Sequence, residues 1–193
     1  MLSYEESLKI LKETNALIEG HFILSSGLHS SQYVQCAQLL SKPSKSAKLC
    51  KSLADKIKST FGDFDLILSP AMGGIVIGFE IGRLLGIETI FAERVNGKFE
   101  LRRDFKIKKD QKVLIVEDVI TTGKSSLECA NLVIQAGALI IGYGCIIDRS
   151  QKKSSLKNKI ISQIEINIPT YKKDEIPKDL SLIKAVKPGS RNL

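Results

Sequence analysis

Two adjacent carboxylates followed by a group of hydroxyl side chains form the segment of this sequence best equipped for chemistry. Glu117 and Asp118 come directly after the apolar run at residues 113–116, and Val119, Ile120, Thr121, Thr122, Gly123, Lys124, Ser125 and Ser126 follow them. Carboxylate oxygens accept hydrogen bonds from sugar hydroxyls. Hydroxyls and free backbone N–H groups at the start of a helix bind a phosphate monoester. The segment therefore predicts a site for a ribose 5-phosphate group.

Three other interpretations apply to the same segment. The Gly-Lys-Ser sequence at residues 123–125 is shared with Walker A loops, but that motif requires a glycine where this chain has Asp118. A carboxylate there would repel a triphosphate, so we set the Walker A interpretation aside. The closely spaced glycines of a dinucleotide-binding loop are absent from the sequence. An ordinary strand-to-helix connection with a threonine N-cap remains an alternative.

The sequence of residues 117–123, Glu-Asp-Val-Ile-Thr-Thr-Gly, resembles the signature with which type I phosphoribosyltransferases bind 5-phosphoribosyl pyrophosphate (PRPP), in the version of the orotate phosphoribosyltransferases. The resemblance implies catalytic roles for Glu117 and Asp118 and an orotate contact from Thr121. It implies that Mg²⁺ arrives with PRPP, and it assigns no metal ligand to a protein side chain. The PRPP-binding residues that it implies in this segment are Glu117, Asp118, Val119, Ile120, Thr121, Thr122, Gly123, Lys124 and Ser125.

A second strand, loop and helix start lie upstream and offer another anion site. The apolar residues 66–68 run into a loop of small residues from Ser69 to Gly74, and a helical pattern begins at Ile75. By the resemblance, the pyrophosphate loop comprises Ala71, Met72, Gly73 and Gly74, although several relatives have a lysine in place of Gly73. Alternatively, the two glycines only allow a helix to pack tightly on the sheet.

Residues 89–103 predict a hairpin that carries four cations. Residues 89–92 and 99–103 are strand-like, and the Asn-Gly pair at 96–97 is a strong signal for a two-residue turn. The cations are Arg94, Lys98, Arg102 and Arg103. By resemblance to the family's mobile catalytic loop, Arg94 is a PRPP ligand at the pyrophosphate and Lys98 is the catalytic lysine. The alternative is a charged hairpin that protects the edge of a sheet.

Arg149 follows Asp148 at the end of an apolar strand pattern at residues 138–147. Ligands collect at the carboxyl ends of the strands in open α/β sheets. In the family that the sequence resembles, an arginine at this place binds the carboxylate of orotate. A surface ion pair between Arg149 and Asp148 is the alternative.

Alternating strand and helix patterns predict the α/β class, with a mostly parallel twisted sheet flanked by helices. The resemblance implies the type I phosphoribosyltransferase fold, and we expect a single domain over residues 1–193 with a small N-terminal hood element at about residues 1–40. A capping box at Ser3 and Glu6 predicts a helix that continues to about Gly20. Residues 33–36 predict a hood strand in which Tyr33 is a candidate for stacking on the base.

Three further features of the sequence complete the prediction. Many relatives have a lysine where this chain has Ser25, so the orotate contact of that lysine cannot be carried over. The alternation of Ile164, Ile166 and Ile168 predicts a final strand that ends at Pro169, and irregular structure is expected beyond it. The polar segment at residues 150–159 is predicted to be an exposed loop.

Composition restricts the possible partners and the compartment. Lys and Arg number 29 against 21 for Asp and Glu, giving a net charge of +8, but the lysines are scattered without interleaved aromatic residues. We therefore expect no nucleic-acid partner. The four cysteines form no CxxC pair, which is typical of reduced core residues in a cytoplasmic protein. No apolar run is long enough to span a membrane, so no membrane partner is expected.

The resemblance covers nearly the whole chain in motif order and implies an activity. Orotate and PRPP would be converted to orotidine 5′-phosphate and pyrophosphate in pyrimidine (UMP) biosynthesis by a homodimer. A purine-type phosphoribosyltransferase is one alternative, and Arg149 argues against it because a purine has no carboxylate. A PRPP-sensing regulator that binds nucleic acid is another, kept open by the net charge of +8.

Overall fold

The computed structural model describes residues 1–24 and 26–188. Two positions discussed above lie outside the described residues. They are Ser25, where many relatives have a lysine, and Gly189, in the segment expected to be irregular. The helices are α1 (Tyr4–Glu13), α2 (Cys36–Leu40), α3 (Pro43–Phe61), α4 (Gly73–Leu85), α5 (Lys124–Gln135) and α6 (Lys178–Ser181). The strands are β1 (Leu17–Ile23), β2 (His29–Val34), β3 (Leu66–Pro70), β4 (Glu88–Val95), β5 (Lys98–Leu101), β6 (Lys112–Ile120), β7 (Leu139–Asp148), β8 (Ile160–Glu165) and β9 (Thr170–Tyr171).

The central sheet has six strands in the order β5-β4-β3-β6-β7-β8. Its neighbouring strands run parallel except for β5, which pairs antiparallel with β4 at one edge. Helices α3 and α4 cover one face, and α5 covers the other. This arrangement confirms the predicted α/β class and the mostly parallel sheet.

Continuous apolar strands explain why both faces of the sheet are covered. In β3, Ile67 points into the core beneath α3 and α4, whereas Leu66 and Leu68 belong to the core beneath α5. Successive side chains of a strand alternate between faces, so an unbroken apolar run needs a helix on each side. The same logic holds for residues 113–116 of β6, all of which are fully buried.

Helix α4 lies unusually close to the sheet because glycines line its inner face. A β-carbon on Gly78 would lie 2.0 Å from Oγ of Ser69, and one on Gly82 would lie 2.0 Å from Oγ1 of Thr89. These two glycines and Gly74 are spaced by four residues, which places them on one face of the helix. The close approach fixes the start of α4, and with it the predicted pyrophosphate loop, against the ends of β3 and β6.

The hood is a three-stranded antiparallel sheet in the order β1-β2-β9. Its third strand comes from residues 170–171, and Val186 exchanges backbone hydrogen bonds of 2.8 Å with His21 and Ile23 of β1. The ring of His21 also contacts the backbone oxygen of Ile183 at 2.9 Å. The hood is therefore built from both ends of the chain and is not restricted to residues 1–40.

Three predicted element bounds were wrong. Helix α1 keeps the predicted capping box but ends at Glu13, because Asn15 adopts a left-handed conformation (φ 58°) and the next residues pair as β1. The second hood strand precedes Cys36, which instead begins α2. The final strand of the large sheet is β8, which ends at Glu165; Ile166 and Ile168 are buried beyond it, and β9 and α6 occupy the region expected to be irregular.

All four cysteines are free and buried, which agrees with their predicted role as core residues. Within residues 1–24 and 26–188, the structure contains no helix with the length and apolar character needed to cross a membrane.

Candidate active site

The predicted site residues meet at one edge of the central sheet. Strands β3, β4, β6 and β7 are parallel, so their carboxyl ends lie on the same side. The end of β3 leads into Ala71 and Met72, and β4 carries Arg94 near its end. The end of β6 carries the two carboxylates, and Arg149 follows β7. The topology therefore brings together segments that are up to about eighty residues apart in the sequence, from Ala71 to Arg149.

Glu117 and Asp118 lie inside β6 and not beyond its end, because β6 continues to Ile120 in register with β7. Consecutive residues of a strand point to opposite faces. Glu117 faces α5, where its Oε2 accepts a hydrogen bond of 2.5 Å from Oγ of Ser126. Asp118 faces the start of α4. The two carboxylates therefore flank the strand end from its two sides.

Burial changes the acid strength of both carboxylates. It raises the pKa of Glu117 from 4.5 to about 7, and the hydrogen bond from Ser126 opposes this rise. Burial also raises the pKa of Asp118, against the effect of backbone N–H groups of Val119 and of Asp118 itself. Carboxylates whose pKa is raised by burial are typical of functional sites, where a group is held in position for chemistry at the cost of its hydration.

The predicted phosphate loop, residues 121–125, leads directly into α5. Gly123 is the N-cap, with a left-handed φ of 79°, and has no capping side chain; in the first turn only the N–H of Lys124 contacts a side chain, Oγ1 of Thr122 at 3.4 Å. The alternative of a threonine N-cap is therefore wrong. Thr121, Thr122 and Lys124 are exposed, and Ser125 is half-buried. Uncapped N–H groups at a helix start attract an anion, which agrees with the phosphate interpretation.

Val119 and Ile120 contribute little side-chain surface to this site. Ile120 is 1% exposed and belongs to the core beneath α5, while Val119 packs against the core on the opposite face. If they contact a ligand, they do so through the backbone.

The loop after β7 packs onto the phosphate loop, although it was predicted to be simply exposed. The backbone N–H and the Oγ of Ser155 each approach the backbone oxygen of Thr122 at 3.3 Å. Leu156 is half-buried, and its Cγ lies 2.8 Å from the position of a β-carbon on Gly123. The phosphate loop is thus supported from outside by residues 155–156.

The predicted pyrophosphate loop starts at Ala71, whose N–H donates to the backbone oxygen of Ala92 at 2.8 Å. The peptide bond between Ala71 and Met72 is cis. Gly73 and Gly74 form the first turn of α4. Gly74 packs tightly, with a β-carbon position 3.1 Å from the backbone oxygen of Val116, so the packing interpretation holds for this glycine. Gly73 faces Asp118 instead, which places the loop beside the carboxylates.

The cationic hairpin forms as predicted, with Asn96 and Gly97 both at positive φ in the turn. Arg94 lies 2.9 Å from Glu128 of α5 and stacks over the ring of Phe99 at 4.2 Å. Arg103 makes a two-point ion pair with Glu93, with both distances 3.0 Å. Lys98 is exposed at the start of β5. Arg94 therefore lies on the α5 side of the sheet within electrostatic range of Glu117, whereas Arg103 pairs with Glu93.

Arg149 is half-buried beside the end of β6, where its backbone N–H donates to the backbone oxygen of Ile120 at 2.8 Å. The proposed ion pair with Asp148 does not form; Asp148 accepts a hydrogen bond of 2.7 Å from the N–H of Ser150. The Nε of Arg149 is buried and has no hydrogen-bond partner among the described residues. Burial lowers the pKa of Arg149, which indicates a cation held away from water.

The comparisons with known proteins agree with this geometry. The sequence model described as "Phosphoribosyl transferase domain" matches residues 37–182. Orotate phosphoribosyltransferases of Maricaulis maris and Parvibaculum lavamentivorans are 44% and 43% identical to this chain over 193 residues, covering 100% of each chain. This chain belongs to the orotate phosphoribosyltransferase family. Members of this family are pentosyltransferases, and this chain is one of them.

Solved structures support the same fold at lower identity. Orotate phosphoribosyltransferase from Aeropyrum pernix aligns with a TM-score of 0.72 and 22% identity, covering 82% of this chain and 92% of that chain. Adenine phosphoribosyltransferase from Thermoanaerobacter pseudethanolicus aligns with a TM-score of 0.61 and 20% identity, covering 70% and 88%. The type I fold is therefore shared by members that differ in the base named.

Two residues near the site, Glu128 and Leu156, were not predicted from the sequence, and for Ser126, which belongs to the predicted segment, the contact with Glu117 was not predicted. Ser126 and Glu128 follow the signature on α5, and their spacing looks like that of any amphipathic helix. Leu156 lies in a polar basic segment, where a single leucine was the only signal of packing. Their partners lie at least nine positions away in the sequence, so local pattern alone could not identify them.

Proposed function

We propose that this chain transfers the 5-phosphoribosyl group of PRPP to orotate, producing orotidine 5′-phosphate and pyrophosphate for pyrimidine biosynthesis. The observation that carries the choice of base is Arg149. Arg149 follows β7 at the carboxyl edge of the sheet, its Nε is buried without a hydrogen-bond partner, and its side chain has no acidic partner among the described residues. A guanidinium binds a carboxylate with two parallel hydrogen bonds, and orotate supplies one.

The two carboxylates of β6 are suited to the ribose. As the bond from C1 to pyrophosphate breaks, positive charge develops on the ribose ring. Glu117 and Asp118 accept hydrogen bonds from the ribose hydroxyls, and their negative charge favours the developing cation. They reach the sugar from opposite sides of the strand end, and this fixes its orientation.

The 5′-phosphate binds at the start of α5. Residues 121–125 offer hydroxyls, the Lys124 ammonium and the uncapped N–H groups of the first turn. Thr121 lies at the end of β6 next to Arg149, so its backbone orients orotate. Leu156 and Ser155 hold this loop in place from outside.

The leaving pyrophosphate lies between the loop at residues 71–74 and the hairpin. Arg94 and Lys98 neutralise its charge, and backbone N–H groups of Met72, Gly73 and Gly74 line its other side. Mg²⁺ commonly binds one or two carboxylates together with substrate phosphates, and Asp118, which lies beside the pyrophosphate loop at Gly73, is the carboxylate that would be in reach. When bound with PRPP, Mg²⁺ supplies further charge neutralisation to the pyrophosphate.

We further propose a homodimer located in the cytoplasm. A stripe of exposed apolar side chains on and next to α4, namely Met72, Val76 and Phe79, is suited to cover by a second copy. The stripe begins in the pyrophosphate loop, so the second copy would lie beside the active site. The four free, buried thiols support a reducing compartment.

A base-selection assay tests the activity. Purified protein is given PRPP and Mg²⁺ with orotate, uracil, adenine or hypoxanthine in turn, and pyrophosphate release is followed. We expect release with orotate only. Release with adenine or hypoxanthine and not with orotate would establish a purine-type enzyme. Absence of turnover with every base, together with tight binding of PRPP to the protein, would favour a PRPP-sensing role.

A further inference from the structure

Arg94 is held by three contacts from different parts of the fold. Its Nη1 donates to the backbone oxygen of Gly97 at 2.6 Å and lies 2.9 Å from Oε2 of Glu128. Its guanidinium carbon lies 4.2 Å from the centre of the Phe99 ring. The side chain of Arg94 is still 41% exposed, so the guanidinium is fixed but open to a ligand.

Glu128 is the charged member of this arrangement. Its side chain is 25% exposed, and Oε2 is buried. The contact with Arg94 is a close ion pair without the alignment of a hydrogen bond, so Oε2 retains an unsatisfied acceptor. Among the described residues, Arg94 is the only cation within ion-pair distance of Glu128. A half-buried carboxylate with a single countercharge depends strongly on that countercharge.

The first two turns of α5 connect three parts of the active site. Lys124 and Ser125 belong to the phosphate loop, Ser126 donates to Glu117, and Glu128 pairs with Arg94. The charge of Arg94 also lowers the pKa of Glu117, so the guanidinium lies within electrostatic range of that carboxylate. The helix therefore fixes Arg94 relative to the ribose carboxylate through a rigid element.

We propose that Glu128 is a positioning residue that holds Arg94 in place for the pyrophosphate group of PRPP. This inference rests on the proposed function, because it concerns the same substrate. Arg94 lies on a two-strand hairpin at the edge of the sheet, and a long arginine side chain loses conformational entropy when it binds a ligand. The ion pair with Glu128 orders the side chain before PRPP arrives, so less entropy is lost on binding.

Substitution of Glu128 by alanine tests the proposal through a split between KM and kcat. We expect KM for PRPP to rise about tenfold, with kcat changed less than about threefold and KM for orotate unchanged. Glu128→Gln keeps the shape and an acceptor oxygen, so its KM should lie between those of the parent protein and the alanine variant.

Glu80→Ala is the matched control. Glu80 is 22% exposed and forms an ion pair of 2.8 Å with Arg83 on α4, away from the carboxylates. We expect normal KM and kcat for this variant and a melting temperature close to that of Glu128→Ala. Equal kinetic effects of the two substitutions would overturn the positioning role. A lower KM for PRPP in Glu128→Ala would overturn it too, because it would mean that Glu128 competes with the substrate for Arg94.

A double-mutant cycle shows whether Glu128 acts through Arg94. In an Arg94→Ala background, Glu128→Ala should raise KM for PRPP by no more than about twofold. Full additivity of the two substitutions would overturn the proposal. Failure of the proposed function is distinguishable, because the parent protein would then show no transfer to orotate at all.

Discussion

The carboxylate of Asp118 occupies the space in which any residue other than glycine at position 73 would place its β-carbon. Oδ1 of Asp118 lies 2.7 Å from that position, and Cγ and Oδ2 lie 2.9 Å from it. Real β-carbons essentially never come this close to another heavy atom. Gly73 therefore lets the predicted pyrophosphate loop approach one of the two carboxylates proposed to bind the ribose.

Gly73→Ala should displace Asp118 and reduce catalysis with little loss of stability. Gly73 is exposed at the first turn of α4, where alanine is favourable for the helix, so the methyl group acts mainly on the carboxylate. We expect kcat/KM for PRPP to fall at least about tenfold, with the melting temperature nearly unchanged. Steady-state kinetics and thermal unfolding of the same preparation measure both.

Gly82→Ala on the same helix is the contrasting control. Its β-carbon would lie 2.0 Å from Oγ1 of Thr89 and 2.8 Å from the backbone oxygen of Ile87, two turns away from the carboxylates. Overpacking should lower the melting temperature while the kinetic constants of the folded fraction stay normal. If Gly73→Ala behaved like this control, the contact with Asp118 would have no catalytic meaning.

Replacement of Arg149 by methionine should weaken orotate binding. A charge-assisted pair with a carboxylate contributes about 2 kcal/mol, so KM for orotate should rise about thirtyfold while KM for PRPP stays the same. The melting temperature should not fall, because the substitution removes a cation that has no counterion among the described residues. An unchanged KM for orotate would remove Arg149 from base recognition. Arg83→Met, which affects an exposed arginine, is the control.

Activity should rise with pH around neutrality through Glu117. The pKa of Glu117 is raised from 4.5 to about 7, and only the ionised form carries the negative charge that favours the developing cation on the ribose. We expect kcat/KM for PRPP to increase as the pH passes through about 7 and then to level off. Plots of kcat/KM for PRPP against pH, between about pH 5.5 and pH 8.5, for the parent protein and for Glu117→Gln measure this rise. The variant should not show the rise near pH 7.

The same carboxyl group should affect stability in the opposite direction. Because its pKa is higher in the folded state, the protonated form stabilises the fold fully below about pH 4.5, and this contribution is lost as the pH rises through about 7.

Ser126→Ala removes the hydrogen bond that lowers the pKa of Glu117, so the rise of kcat/KM with pH should move to higher pH. A rise that stays in place in Ser126→Ala would mean that another group titrates there.

Leu156→Ala should loosen the phosphate loop. The side chain of Leu156 packs against Gly123 of the phosphate loop, so truncation to alanine removes an apolar contact that supports this loop. We expect KM for PRPP to rise by about threefold to tenfold, with KM for orotate less affected. Leu182→Ala is a suitable control because that leucine is 87% exposed and directly follows α6. Equal KM values in the two variants would contradict a supporting role.

Much of this architecture could be predicted because each strand and its following loop carry a local signal. The buried run of β6, the Asn-Gly turn and the small-residue loop at 69–74 depend on residues close in sequence, and they led to the observed sheet and its edge. The helix bounds and the last strand were less predictable. The chain from Leu17 has apolar residues at both helical and strand spacing, and only the pairing with β2 decides between the two.

Contacts between distant segments account for what the sequence did not predict. The approach of Asp118 to Gly73, the pair of Arg94 with Glu128 and the packing of Leu156 on Gly123 all join different elements. None of these residues has a neighbour in sequence that marks its partner. The pKa of Glu117 is raised because α5 buries the side chain, and the sequence around Glu117 does not predict that burial.

The composition of the hood has a consequence for synthesis on the ribosome. The six-stranded sheet and the phosphate site are complete once residue 165 has emerged, but β9 and Val186 must still be made before the hood sheet can close. A nascent chain therefore acquires the sugar-phosphate half of its site before the hood. We therefore expect the hood to close after the central sheet, once β9, Val186 and the buried Ile166 and Ile168 that follow β8 have been made.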